Sequence, residues 1–135
     1  MALLDDIVSV LEDASVATFG TDLFAGGFPT AAPDECLALF TYAGQAGVDT
    51  FGLAAGGGPA LEQPRVQVMG RGAYFDVVMA KVQAAYAAIV AVVDQDINSK
   101  HYARIEAVST PFGLGQDAKG LQRVGANFDV TKDPE

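Results

Sequence analysis

The sequence predicts an α+β fold, a two-layer sandwich with two helices on one face of a mostly antiparallel four-stranded sheet. Of its 135 residues, 50% are apolar and 19% are charged, which suits a core of single-domain size. Two segments repeat apolar residues every three or four positions, as amphipathic helices do. Four other segments are rich in β-forming residues. We therefore expect one domain over residues 1–135, with elements in the order α-β-β-α-β-β.

The first predicted element is a helix over residues 2–14. Its apolar residues have the spacing that places one helix face against a core: Leu3, Leu4, Ile7, Val8, Val10 and Leu11. Residues 16–33 contain three glycines and two prolines, so the helix cannot continue through them. We expect a connection there, with one short strand at residues 22–25.

Two strands are predicted next, paired with each other. Residues 35–43 form a continuous apolar run, and residues 64–71 alternate valines with longer side chains. Residues 44–63 contain six glycines and are far longer than a hairpin turn, which predicts a long glycine-rich loop. The run Gly56-Gly57-Gly58 is not followed by the Lys of a phosphate-binding loop, and the next element is a strand rather than a helix, so we expect no nucleotide site.

The strongest predicted element is a helix over residues 74–93. One apolar stripe faces the sheet and consists of Phe75, Val78, Met79, Val82, Ala85, Tyr86, Ile89 and Val93. A second face is made of alanines: Ala80, Ala84, Ala87, Ala88 and Ala91. This face could let another backbone approach closely, or its composition could reflect helix propensity alone.

The remaining chain is predicted to form two strands and a loop. Residues 101–109 alternate between two side-chain faces, which predicts the third strand. Residues 111–122 form a second loop, with a turn at Asp117-Ala118-Lys119-Gly120. Residues 123–131 form the final strand, and the acidic tail after it is expected to fray.

Charge is distributed unevenly along the chain. Residues 1–64 contain nine Asp and Glu and no Lys or Arg, whereas residues 65–135 contain eight residues of each sign. Because binding to duplex DNA depends on neutralising phosphates with Lys and Arg, this acidic half argues against a DNA-binding module. The excess could instead keep an apolar protein soluble.

The N-terminal and apolar segments bear on targeting. Acidic residues stand where a signal peptide needs basic ones, so we expect synthesis in the cytoplasm. The longest apolar run, residues 84–93, has ten residues, about half of what a membrane span requires. We expect no membrane partner.

No pattern of a catalytic, metal or cofactor site is evident. His101 is the single histidine, and its position at a strand start is more typical of an exposed residue than of a general base. Cys36 lies in an apolar strand, where a thiol behaves as a small apolar group with a raised pKa. Asp5 and Asp6 fit the first turn of a helix, while Asp94 and Asp96 lack a third ligand nearby. We predict that the protein is not an enzyme.

Three stretches resemble the minor capsid or tail-terminator family of long-tailed bacteriophages. The first is PDECLALFTYAGQAG, which has the family's "PD-x-C/V-hydrophobic-A-L" strand. The second, LEQPRVQVMGRGAYFDVVMAKVQAAYAAI, has a "P-x-V-Q-V-x-x-R" strand, a Tyr at the helix start and a long alanine-rich helix. The third, INSKHYARIEAVSTPFGLGQDAKGLQRVGANFDV, has Ile-Asn before a strand, a Gly-x-Asp turn and a terminal Asn-Phe-x-Val strand. The order and spacing of these features carries the resemblance over residues 33–131.

The resemblance implies a structural protein of the virion, at the junction of head and tail. Similar terminators form a ring, usually of six subunits, that caps the tail tube and stops its polymerisation. They dock to the head connector or to a stopper protein, and DNA passes through the ring without specific binding. In this family the strand motif that holds Arg65, Gln67 and Arg71 is structural. The long segment 44–58 departs from common members.

The two predicted loops are the candidate contacts with the neighbouring proteins. The candidate interface residues are Gly44, Asp49, Phe51, Gly57, Glu62, Phe112, Leu114 and Asp117. One alternative is another neck protein, such as a head-tail stopper. An alternative of a different class is a small ligand-binding or enzymatic α+β domain that uses the glycine-rich loop and the His101 region, which would need a concave pocket with convergent polar groups.

Overall fold

A computed structural model describes residues 2–48 and 61–133 of the chain. These residues form two helices and seven strands. In chain order they are α1 (Ala2–Asp13), β1 (Leu23–Ala25), β2 (Cys36–Val48), β3 (Leu61–Gly72), α2 (Phe75–Val90), β4 (Val93–Ile97), β5 (Lys100–Ala107), β6 (Phe112–Gln116) and β7 (Gln122–Lys132). Neither described helix is long and apolar enough to cross a membrane.

The sheet is mixed and curls into a half-barrel, so the predicted four-stranded, mostly antiparallel two-layer sandwich is wrong. The strand order is β1-β2-β3-β7-β5-β4, and β6 pairs with β7 beside this path. β1 and β2 run parallel, whereas the other pairs are antiparallel. The predicted pairing of the strands now seen as β2 and β3 is confirmed.

Two strands were missing from the prediction for the same physical reason. β4 lies at a sheet edge, and four of its five residues are exposed, so it lacks the apolar alternation that marks a half-buried strand. β6 contains two glycines and buries none of its residues fully, so residues 111–122 resemble a loop in sequence. Both strands are held by backbone pairing with a neighbour rather than by burial.

The strands β5 and β6 share one side of β7. β6 pairs with residues 122–125, and β5 pairs with residues 128–132. The other side of β7 pairs with β3 from one end to the other. The two shorter strands therefore form an interrupted line along β7.

The core lies between the helices and one face of the sheet. Alternate residues of β3 and β7 are buried there, including Val66, Val68, Val124, Ala126 and Phe128. From α2, the buried residues are Val78, Val82, Ala85 and Ile89. The predicted core stripe is thus confirmed at these four positions, whereas Phe75 and Val93 are exposed. In the alanine face, Ala88 is partly buried and the other four alanines are exposed.

Helix α2 packs closely on β3 because β3 has a glycine at the contact. A Cβ atom placed on Gly70 would lie 2.6 Å from Val82 Cγ2 and 3.1 Å from Val78 Cγ1. Real Cβ atoms are not found so close to other carbon atoms. Gly70 therefore sets how near the helix comes to the sheet.

Candidate assembly surface

The predicted interface residues fall at two ends of the sheet. Phe112 and Leu114 lie in β6 and Asp117 in the turn after it, whereas Gly44 lies in β2 and Glu62 in β3. Asp49, Phe51 and Gly57 lie outside the described residues. The loop predicted for residues 44–63 overlaps a strand at each end, because β2 continues to Val48 and β3 begins at Leu61.

The register of β7 shows how far apart these ends are. Glu62 pairs with Lys132 at one end of β7, and Gln116 pairs with Gln122 at the other. At about 3.3 Å per residue, the pairs are roughly 30 Å apart along the strand. We call these the β2–β3 end and the β6–β7 end.

At the β6–β7 end, Phe112 and Leu114 pack across β7 at a glycine. A Cβ atom on Gly125 would lie 2.9 Å from Leu114 Cδ1 and 3.5 Å from Phe112 Cζ. Both side chains are half-buried. Because Gly125 has no side chain, Phe112 and Leu114 can occupy the space beside it.

The first turn of α2 adds three exposed apolar residues that the sequence analysis did not assign to an interface. Tyr74 is 72% exposed, Phe75 45% and Val77 44%. Phe75 packs against β6, because a Cβ atom placed on Gly113 would lie 3.2 Å from Phe75 Cε1. We define the apolar end patch as Tyr74, Phe75 and Val77; Phe112 and Leu114 lie on the opposite face of β6, against Gly125. Exposed apolar groups gathered in this way are typical of protein–protein contacts.

Asp117 shapes the turn beside this patch. Its carboxylate accepts hydrogen bonds from the backbone N–H groups of Lys119 at 2.8 Å and Leu121 at 3.0 Å. The hydrogen bond from Leu121 contributes most to lowering the pKa of Asp117; burial opposes it, and the Lys119 N–H and the charges of Arg71 and Arg123 lower the pKa further. Gly120 closes the turn with a φ of +80°, a conformation that glycine adopts easily. The predicted turn is confirmed.

Arg71 and Arg123, paired across β3 and β7, fix the loops around this end. The Arg71 guanidinium donates hydrogen bonds to the carbonyl oxygens of Pro33 at 3.1 Å and Asp34 at 3.3 Å. It also lies 4.6 Å from the ring centroid of Phe28. Arg123 donates to the carbonyl oxygen of Leu114 at 3.3 Å. These contacts hold the backbone beside the patch.

The other motif residues of β3 lie on the sheet face away from the core. Arg65 Nε donates to Asp129 Oδ1 at 2.7 Å, and its guanidinium carbon lies 6.0 Å from the ring centroid of Tyr42. Gln67 is half-buried between its strand neighbours Phe40 and Asn127. The contacts at Arg65 join three neighbouring strands.

The acidic residues of the first half are dispersed. Asp6 is buried and accepts hydrogen bonds from Tyr102 Oη and from Asn98 Nδ2, so it does more than complement a helix dipole. Asp22 forms an ion pair with Lys81 at 2.7 Å. Burial would raise the pKa of Asp22, but the hydrogen bonds from Lys81 and the Thr18 N–H hold it below its usual value.

At the β2–β3 end, the charge of Glu62 is balanced by a lysine. Glu62 Oε2 lies 3.4 Å from Lys132 Nζ, and the Lys132 side chain is almost fully buried. Glu62 therefore faces a cation of the neighbouring strand as well as solvent. Asp6, Asp22 and Glu62 each have a polar or basic partner. The acidic residues of the first half of the sequence are therefore not all free charges on the surface.

The residues considered for catalysis lie in different environments. Cys36 is fully buried, and burial raises the pKa of its thiol, as the sequence analysis predicted. His101 lies between Asp94 and Asp96 at the edge of the sheet. Within residues 2–48 and 61–133, no three His, Cys, Asp or Glu residues are placed to hold a metal ion.

An open groove of about 430 Å³ lies between the two helices and β4. Its walls include Asp13, Ala88, Ala91 and Asp96. The lining includes two carboxylates and no His, Cys or basic side chain.

Comparison with known proteins gives one informative likeness. No protein-family model matches the sequence, and no curated protein does. A chain of the solved structure "Virion of native gene transfer agent (GTA) particle" has a TM-score of 0.71 to this chain at 13% identity. The match covers 95% of this chain and 92% of that one. The two chains thus share a fold over nearly their whole length.

Proposed function

We propose that this chain is a structural subunit of a phage-like virion and acts there as a tail terminator. In this role it forms a ring of six subunits, as similar terminators do, that caps the tail tube, stops tube polymerisation and docks to the head connector. The observation that carries the proposal is the fold shared with a chain of a gene transfer agent virion. The resemblance over residues 33–131 supports it independently.

The distribution of the candidate contacts suits a component that joins two structures. A terminator must meet the tail tube on one side and the connector on the other. The β2–β3 end and the β6–β7 end lie roughly 30 Å apart along β7. Each end can therefore bind a different partner.

A ring also needs two different lateral surfaces. In a closed ring the contacts between subunits are heterologous, so each subunit binds one neighbour through one surface and the other neighbour through a different surface. The sheet has unlike edges, with β1 at one side and β4 at the other. These edges and the exposed alanines of α2 are the lateral surfaces in this proposal.

The apolar end patch is the proposed docking surface for one of the two partners. Aromatic side chains dominate the energetics of protein interfaces, and Tyr74 is the most exposed large apolar residue of the described chain. Its neighbour Phe75 packs against β6 at Gly113. The patch thus presents a preformed surface.

Electron microscopy of the purified protein, alone and mixed with tail tubes, tests the proposal. We expect ring-shaped particles and decoration of one tube end. A double variant, Tyr74→Ala with Val77→Ser, should lose binding to either tubes or connectors and keep the other. The control Val108→Ser removes an apolar group of similar exposure, 49% against 44% for Val77, that lies at neither end of the sheet and on neither lateral edge, and should keep both. A protein that stays monomeric and leaves tube ends bare would refute the terminator role.

A further inference from the structure

His101 is held between two carboxylates across the β4–β5 hairpin. Its Nδ1 atom lies 2.8 Å from Asp96 Oδ1, and its Nε2 atom lies 3.0 Å from Asp94 Oδ1. Both acids belong to the edge strand β4, whereas the histidine belongs to β5. A third acid is close, because the Asp133 N–H donates to the His101 carbonyl oxygen at 3.0 Å.

This geometry fits the protonated imidazolium and neither neutral form. A neutral imidazole carries a proton on one nitrogen and a lone pair on the other. Whichever nitrogen is bare, its lone pair would face a carboxylate oxygen at 3.0 Å or less. The imidazolium instead has a proton on each nitrogen and a charge opposite to that of both acids.

The strand that these contacts hold lies at the sheet edge with little apolar burial. Of the five residues of β4, Ile97 alone is buried. Backbone pairing with β5 and the turn after β4 also hold the strand, since Asn98 Nδ2 donates to Asp6 Oδ1 at 2.8 Å. Edge elements with few buried apolar groups open at low free energy.

We propose that His101, Asp94 and Asp96 form a proton-operated latch that keeps edge strand β4 on β5 and releases it when the histidine loses its proton. The latch does not depend on the proposed assembly role, although β4 is also one of the edges that the role assigns to ring contacts. Gln95, Asp96 and Ile97 also line the groove between the helices. Opening β4 therefore changes one wall of that groove and bares the edge of β5.

The direction of the pH dependence follows from the neighbours of the histidine. The hydrogen bond to Asp96 contributes most to raising the pKa of His101, slight burial opposes it, and the charges of Asp94, Asp96 and Asp133 add to the rise. A pKa that is higher in the folded chain means that the latch is fully engaged below the ordinary histidine pKa of about 6.5. Its stabilisation is lost as the pH rises through the raised pKa.

The test joins two independent measurements on the full-length protein. NMR titration gives the pKa of His101, which is easily followed because the chain has one histidine. Hydrogen exchange of the β4 amides, corrected for intrinsic rates, gives the opening equilibrium above and below that pKa. If the latch operates, opening rises with pH by about tenfold for each unit by which the pKa exceeds its value in the open state.

Variants separate the latch from a general effect of charge. Asp96→Asn and Asp94→Asn should each lower the pKa of His101, the first by more, and should flatten the pH dependence of β4 exchange. The control Asp13→Asn removes an exposed acid of the same groove and should leave both unchanged. The latch is overturned if β4 exchange is independent of pH in the native protein, or if all three variants shift it equally.

Discussion

Replacement of Gly70 by alanine tests whether the α2–β3 contact is as tight as the structure indicates. The new Cβ would lie 2.6 Å from Val82 Cγ2, 3.1 Å from Val78 Cγ1 and 3.2 Å from Leu37 Cδ2. All three partners are buried, so none can swing into solvent. Overpacking of this kind costs about 1–3 kcal/mol, and the preference of a strand for alanine over glycine returns about 0.5–1 kcal/mol.

The midpoints of these two ranges leave a net loss of about 1 kcal/mol in the free energy of unfolding. Urea denaturation should show a lower midpoint with an unchanged slope. Gly113→Ala is the matched control, because its Cβ would meet only the half-exposed ring of Phe75, at 3.2 Å. We expect a change of less than about 0.5 kcal/mol there.

A double variant tests whether the contact with Val82 causes the loss of stability in Gly70→Ala. Val82→Ala alone should destabilise by leaving a cavity. Combined with Gly70→Ala, it should cost less than the sum of the two single changes, because the added methyl group fills part of that cavity. Additive losses, or a Gly70→Ala variant as stable as the native protein, would refute the proposed tight approach of α2.

Three further predictions concern other contacts. Tyr102→Phe removes a hydrogen bond to the buried carboxylate of Asp6 and should cost about 2 kcal/mol in chemical denaturation, whereas Tyr86→Phe should cost less than about 0.5 kcal/mol. Asp117→Ala should increase hydrogen exchange in the β6–β7 turn and leave β3 protected, since its carboxylate binds two amides of that turn. In the native protein this turn should loosen as the pH falls through the lowered pKa of Asp117, and a turn that loosens instead at high pH would contradict that origin.

The sequence predicts the elements that bury a regular apolar pattern. Both helices, and the strands β2, β3, β5 and β7, place apolar residues against one core. β4 and β6 could not be predicted in this way, because they are defined by backbone pairing with β5 and β7. The predicted sheet had four strands rather than seven, because it lacked β4, β6 and the short strand β1, which was expected only within a connection.

The role of the candidate residues at an interface stays a prediction. Phe112, Leu114 and Asp117 lie together as the loop prediction placed them, although two belong to a strand. The spacing predicts Phe75 in the core because it precedes the buried stripe by three residues, yet α2 begins there and Phe75 is 45% exposed, with its ring against Gly113 of β6. The Asp6–Tyr102 contact joins residues 96 positions apart, a separation that no local pattern encodes.

The most direct test of the terminator role is the length of tail tubes grown with and without this protein. Tube subunits would be polymerised alone and with increasing amounts of the protein, and tube lengths would be measured by electron microscopy. The proposed function predicts that tubes become shorter as the protein is added, and that each arrested tube carries a cap at one end. Tubes that reach the same lengths at every protein concentration would contradict it.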